Sequence, residues 1–145
     1  MKRRSIQDTP VAIIGAGNLG FNLALALYRH GFRVIQIYSR TKESAKPLAE
    51  KIETEWTTDI QSITTKAAIY FLALKDSILK DYIPLLTKGR ESALWVHTAG
   101  SISMDVWKGH ANRYGVFYPM QTFSKQREVD FKELFIFLEA ADKDD

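Results

Sequence analysis

Val11-Ala12-Ile13-Ile14-Gly15-Ala16-Gly17-Asn18-Leu19-Gly20 is the stretch whose reading decides the fold. Four apolar residues run into three glycines spaced G-x-G-x-x-G, and a helical pattern opens behind them. A buried strand that leaves through such a turn into a helix is the phosphate-binding start of a βαβ unit. In that reading Gly15 makes the tight turn and Gly17 lets a pyrophosphate approach the backbone, while Gly20 lets the helix pack on the strand. Ala16, Asn18 and Leu19 complete the turn. The helix end behind it aims unpaired N–H groups and a positive dipole at the phosphates.

Outward from this stretch the chain alternates between two periods. Leu19, Leu23 and Leu27 recur every four residues, with Ala24 and Ala26 between them, and Gly31 is placed to end the helix near His30. Arg33–Tyr38 reads as a second strand. The next helix starts from Thr41 or Ser44 and reaches about Ile52, and Pro47, tolerable only in a first turn, favours Ser44 or a kinked start. Glu55–Thr57 is a short third strand, and the nearly continuous apolar run Ala67–Ala73 reads as a fourth, covered on both faces. A helix from Ser77 to about Leu86 follows. Leu94–His97 is a fifth strand, a short helix lies around Met104–Lys108, Gly115–Tyr118 is a sixth strand stopped by Pro119, and Phe135–Glu139 is a seventh at an edge. Strands alternating with helices specify an α/β fold: a doubly wound, mostly parallel Rossmann sheet with helices on both faces, in a single domain spanning 1–145.

The composition agrees. Of 145 residues 46% are hydrophobic, enough for a core, and the net charge is only +3, with Lys2-Arg3-Arg4 reading as a solvated leader. No basic run is interleaved with aromatics, so nucleic acid is not an expected partner. No apolar run reaches the roughly 18 residues of a membrane span, and the first ten residues are too polar for a signal peptide. The absence of cysteine excludes thiolate metal sites and fits a cytoplasmic protein. His30 and His110 are isolated, without metal spacing.

The residue after strand two distinguishes the nicotinamide cofactors. NAD sites place Asp or Glu there for the ribose 2′-OH. This chain has Ser39-Arg40-Thr41, whose guanidinium and hydroxyls suit a 2′-phosphate, and the expected cofactor is therefore NADP.

The same motifs, followed in order by Leu72-Ala73-Leu74-Lys75-Asp76, His97-Thr98-Ala99-Gly100-Ser101 and Tyr118-Pro119-Met120-Gln121-Thr122-Phe123-Ser124-Lys125, resemble the Rossmann-like NADP oxidoreductases of deazaflavin-dependent type. The chain is similar, more distantly, to pyrroline-5-carboxylate reductases, 3-hydroxyisobutyrate dehydrogenases and prephenate dehydrogenases. The resemblance implies a further all-helical domain, absent from this chain, that closes the substrate site and dimerises.

In a hydride-transfer enzyme the protein supplies position and a proton donor. Leu74, Lys75 and Asp76, after strand four, are expected along the nicotinamide ribose, though Asp76 equally suits a helix cap. Thr98 and Ser101 are candidate hydrogen-bonders to nicotinamide or substrate. His97 and Ser101 are the candidates for catalysis, with a structural hydrogen-bonding role as the alternative for His97. Gln121, Thr122 and Ser124 are expected to line the substrate floor. Tyr118, Met120 and Phe123 are expected to stay exposed, meet a second copy or fold back, with a dimer or larger complex the expected outcome. The leading function is an NADP(H)-dependent oxidoreductase domain acting on a small carbonyl, imine or hydroxy acid. The rival is a non-catalytic NADP(H)-sensing module or subunit completed by a partner.

Overall fold

The computed structural model describes residues 5–145, and Lys2-Arg3-Arg4 lies outside the described residues. The elements are β1 (Pro10–Ile14), α1 (Asn18–Arg29), β2 (Arg33–Tyr38), α2 (Lys42–Lys51), β3 (Glu55–Thr57), β4 (Ile69–Leu72), α3 (Asp76–Thr87), β5 (Leu94–His97), β6 (Arg113–Pro119) and β7 (Ile136–Ala140). They form one sheet in the order β3-β2-β1-β4-β5-β6-β7. The first six strands are parallel and β7 pairs antiparallel with β6. The strand order reverses between β1 and β4, so the glycine turn after β1 opens at the switch point.

Local chemistry accounts for most boundaries. Gly31, at φ +79°, ends α1 by donating its N–H to Tyr28 while the Phe32 N–H reaches back to Leu27. Both bonds belong to a Schellman ending. The same ending closes α2 without glycine: Glu53 takes φ +56°, and the Thr54 N–H bonds the Ala49 carbonyl at 2.9 Å. The start of α2 departs from expectation. Thr41, not Ser44, is the N-cap, and Pro47 lies inside the helix. Pro47 is on the exposed face, where water can serve the carbonyl that loses its N–H partner. Pro119 likewise does not stop β6 short but is its last residue, opposite Ile136 at the sheet's end.

Both faces of the sheet are covered. Ala12, Ile14, Tyr70, Leu72 and Trp95 pack with Leu79, Ile83 and Leu86 of α3. Val11, Ile13, Ile37 and Phe71 pack with Leu23 and Ala24 of α1 and Leu48 of α2. This two-sided burial explains the unbroken apolar runs in β1 and β4. Of the alternatives for the segment after β6, folding back holds for Phe123. Phe123 is buried and stacks on Phe131 at 5.7 Å, and Tyr118 is half-buried, leaving only Met120 exposed of the three. Ile6 and Leu85 are exposed elsewhere, and three exposed large apolar side chains, Phe135, Phe137 and Leu138, gather at β7.

An aromatic series runs from the core toward the carboxyl end of β5. The rings of Tyr70 and Trp95 are stacked at 4.2 Å, and Trp107 lies 5.7 Å from Trp95. The Trp107 Nε1–H donates to His97 Nδ1 at 2.8 Å. An indole N–H can only donate, so the imidazole proton sits on Nε2, which donates to the Ile102 carbonyl at 2.8 Å. His97 is fully buried and neutral, and burial pushes its pKa below 6.5. The unfolded chain therefore takes up this proton first, and the associated stability is present above about pH 6.5 and lost as pH falls through the folded pKa. Thermal or urea unfolding between pH 8 and 5 should show this loss, with a slope from one such group of at most ~1.4 kcal/mol per pH unit. His97→Asn, which keeps an acceptor for Trp107, should remove that component and leave only the carboxylate dependence at lower pH.

Candidate functional site

Three backbone segments converge at the glycine turn. The Gly15 N–H donates to the Tyr38 carbonyl and the Ala73 N–H to the Ile14 carbonyl, both at 2.8 Å. Gly15 has φ +109°, and a Cβ there would overlap the Ala73 carbonyl oxygen. A Cβ on Gly20 would overlap the carbonyl of Gly15. These two glycines are required by the protein's own packing. Gly17 is different: it is exposed, and a Cβ there would meet no protein atom within 4 Å. It is also the N-cap of α1, and no side chain caps that helix. Ala16 is buried beneath it, while Asn18 and Leu19 begin α1 with N–H groups that no side chain answers. The turn therefore fits a pyrophosphate, with room over Gly17 and donors beside it.

Beyond β2, Ser39 is buried and its N–H bonds the Thr57 carbonyl at 3.2 Å. Thr41 turns its hydroxyl to Ser44 at 3.1 Å. Arg40 between them is exposed and forms no ion pair among the described residues. Its guanidinium is free to meet an anion.

On the other side of the turn, a Cβ on Gly15 would come within 3.3 Å of Leu74, so that side chain borders the glycines. Lys75 is the exposed N-cap of α3, and Asp76 is the first helical residue rather than the cap. The Asp76 carboxylate accepts the Ser101 hydroxyl at 2.8 Å, bridging the loops after β4 and β5. Thr98 is buried and directs its N–H to the Leu72 carbonyl at 3.2 Å. The Tyr118 ring lies where a Cβ on Gly100 would be, 2.5 Å from it, so the phenol crosses the β5 loop beside Ser101. His97 has both ring nitrogens engaged and none to offer a substrate; its bond to Ile102 holds the loop that carries Ser101.

The loop after β6 is fixed by a residue that sequence reasoning did not single out. Asn22 is buried in α1 and donates to the carbonyls of Asn18, at 2.9 Å, and Ser124, at 3.0 Å. Its signal was an amide set in an apolar helix face, next to Leu23. Ser124 is thereby brought against the first turns of α1, with its hydroxyl committed to Gln126 at 2.6 Å. Gln121 and Thr122 stay exposed and bond each other, side-chain oxygen to backbone N–H, at 3.1 Å.

Known proteins agree with this architecture. The chain is similar to a provisionally named NADP oxidoreductase from Bacteroides fragilis, with 59% identity and a TM-score of 0.93 over 97% of this chain and 54% of that one. It therefore spans about half the length of that relative. It resembles in fold a prephenate dehydrogenase from A. aeolicus, solved with hydroxyphenyl propionate and NAD+, at 20% identity and TM-score 0.78 over 93% of this chain and 51% of that one. A pyrroline-5-carboxylate reductase from Coxiella burnetii aligns at 22% identity and TM-score 0.68, over 77% and 44%. No curated protein matches the chain. Among the described residues no helix is long and apolar enough to cross a membrane. Residues 10–99, from the start of β1 to the loop after β5, match the family described as NADP oxidoreductase, coenzyme F420-dependent, and the chain belongs to that family.

Proposed function

We propose that this chain binds NADP(H) and forms the nucleotide-binding part of an oxidoreductase that moves hydride to or from a small carbonyl, imine or hydroxy acid. The observation that carries the reading is the contrast among the glycines. Gly15 and Gly20 are demanded by backbone contacts, whereas Gly17 faces only open space above an uncapped helix end. A glycine that packing does not require is best explained by a ligand that does. Arg40, without an ion pair among the described residues at the end of β2, favours the 2′-phosphate of NADP over the free ribose of NAD.

Bound at this turn, the cofactor would supply the hydride chemistry. The chain's contribution on the nicotinamide side is positional. Leu74 borders the turn, and Ser101, oriented by Asp76, offers a hydroxyl between the loops of β4 and β5. Gln121 and Thr122 belong to the same carboxyl-end surface and are available to a polar substrate. A second reading, an NADP(H)-binding subunit that a partner or second copy completes, is favoured by the exposed Phe135, Phe137 and Leu138 at β7. A concentration-dependent mass in light scattering supports it, and a strictly monomeric protein with turnover excludes it.

Two binding predictions test the leading reading. Calorimetry should show tighter binding of NADPH than of NADH, and Arg40→Ala should remove most of the difference, roughly 1.5–3 kcal/mol for a lost charge-assisted contact. Equal affinities in the unmutated protein would exclude the NADP assignment. Gly17→Val should abolish NADPH binding while circular dichroism and melting stay close to wild type, because the space around Gly17 is open to the new methyls. A folded Gly17→Val protein with unchanged affinity would place the nucleotide elsewhere.

A further inference from the structure

Tyr38, the last residue of β2, is 3% exposed, yet its hydroxyl makes no hydrogen bond among the described residues. Tyr70, the other deeply buried tyrosine, donates its hydroxyl to the Thr64 carbonyl. No fully enclosed side-chain polar atom lacks a partner among the described residues, so the Tyr38 hydroxyl reaches an opening. That opening is a groove of about 860 Å³ between the segment after β3 and the C-terminal half of α3. Thr58, Asp59, Gln61, Leu85 and Lys88 line it with Tyr38. The phenol's pKa is raised, first by burial and then by Tyr82, with the charge of Arg40 opposing and that of Asp59 adding to the rise. Arg40 and Asp59 therefore both lie within electrostatic reach of the hydroxyl.

We propose that Tyr38 is a specificity-determining residue of the nucleotide site, its hydroxyl hydrogen-bonding the N1/N6 edge of the adenine base, which enters the groove beside Asp59. The inference rests on the dinucleotide reading above and extends it from the phosphates to the base. The base and the 2′-phosphate are carried on adjacent ribose carbons, C1′ and C2′. A 2′-phosphate held on Arg40 therefore delivers the base to the immediate neighbourhood of Arg40. In this protein that neighbourhood contains the Tyr38 hydroxyl, two residues upstream on the same strand end and open to the groove, besides the shorter Ser39 hydroxyl, which also has no hydrogen bond among the described residues. A phenol both donates and accepts, which suits a base edge presenting a ring-nitrogen acceptor beside an amino donor. A hydroxyl that opens on a groove and has no partner among the described residues is completed there by water or by a ligand.

The test is calorimetric titration of the full chain and Tyr38→Phe with NADP+ and with its 1,N6-etheno analogue, in which the N1/N6 edge is blocked. Tyr38→Phe should weaken NADP+ about three- to tenfold, as expected for one neutral hydrogen bond. The same variant should bind the etheno analogue within twofold of wild type, and wild type should prefer NADP+ over the analogue by the same three- to tenfold. Equal affinity of wild type and Tyr38→Phe for NADP+, while Arg40→Ala still erases the preference for the phosphorylated cofactor, overturns this proposal and leaves the nucleotide reading standing. Loss of both ligands in parallel in Tyr38→Phe assigns the hydroxyl to something other than the base edge and also overturns it. Failure of wild type to bind NADP+ at all overturns both readings together.

Discussion

Backbone approaches backbone at Gly15 more closely than any side chain allows. The end of β1, the first turn of α1 and the start of the β4 loop meet there, with the Ala73 carbonyl where a Gly15 Cβ would lie and the Gly15 carbonyl where a Gly20 Cβ would lie. The start of α1 and the exit of β4 take their positions from this contact. It sets how close α1 lies to β1 and β4, and therefore where the helix dipole points. It sets the exit direction of β4, which fixes Leu74 beside the glycines and Asp76 at the head of α3. Asp76 in turn holds Ser101 across the gap to β5. A one-methyl change at either glycine would shift the whole edge, because the obstructing atoms are backbone and cannot rotate away.

Features written in adjacent residues were legible in the sequence. The β1 run, the glycine turn, α1 with its Gly31 ending, and β2 ending at Ser39-Arg40 each draw on contacts a few residues apart. The start of α2 is not legible because the sequence does not say which way the turn of Pro47 faces; on the exposed face this proline is tolerated. Whether Phe123 folds back is not legible either, because its partner, Phe131, arrives eight residues later by way of a turn that local pattern does not specify. The role of His97 was open for the same reason. Its proton is placed by Trp107, ten residues on, and only the folded chain brings that indole to the imidazole. Asn22 carried a signal, a polar residue on an apolar face, but its partner Ser124 is 102 positions away.

Between β3 and β4 the chain crosses the sheet without an α-helix, and that crossing must satisfy its backbone by other means. Side chains do so. Gln36 in β2 donates to the Ser62 carbonyl at 3.1 Å and accepts the Thr64 N–H at 2.8 Å. Arg90, buried, spreads its guanidinium over the carbonyls of Ile60, Ile63, Thr64, Leu86 and Lys88, with no carboxylate partner among the described residues. Arginine suits this task because it carries five N–H donors in a planar fork. The same network ties the crossing to the end of α3, and so builds both walls of the groove beneath Tyr38.

The distribution of unanswered polar groups then separates scaffold from site. In the interior the buried amide, imidazole and guanidinium groups each have partners: Asn22 two carbonyls, His97 an indole and a carbonyl, Arg90 five carbonyls. At the carboxyl edge the pattern reverses. Among the described residues the α1 amides have no side-chain cap, Arg40 has no counter-ion, and the Tyr38 hydroxyl has no hydrogen-bond partner. The amides are donors for anionic oxygen, Arg40 adds a positive charge, and Tyr38 adds a hydroxyl that opens on the groove. A rigid sheet whose core is internally complete can hold such groups open at fixed spacing, since no rearrangement of the interior would relieve them.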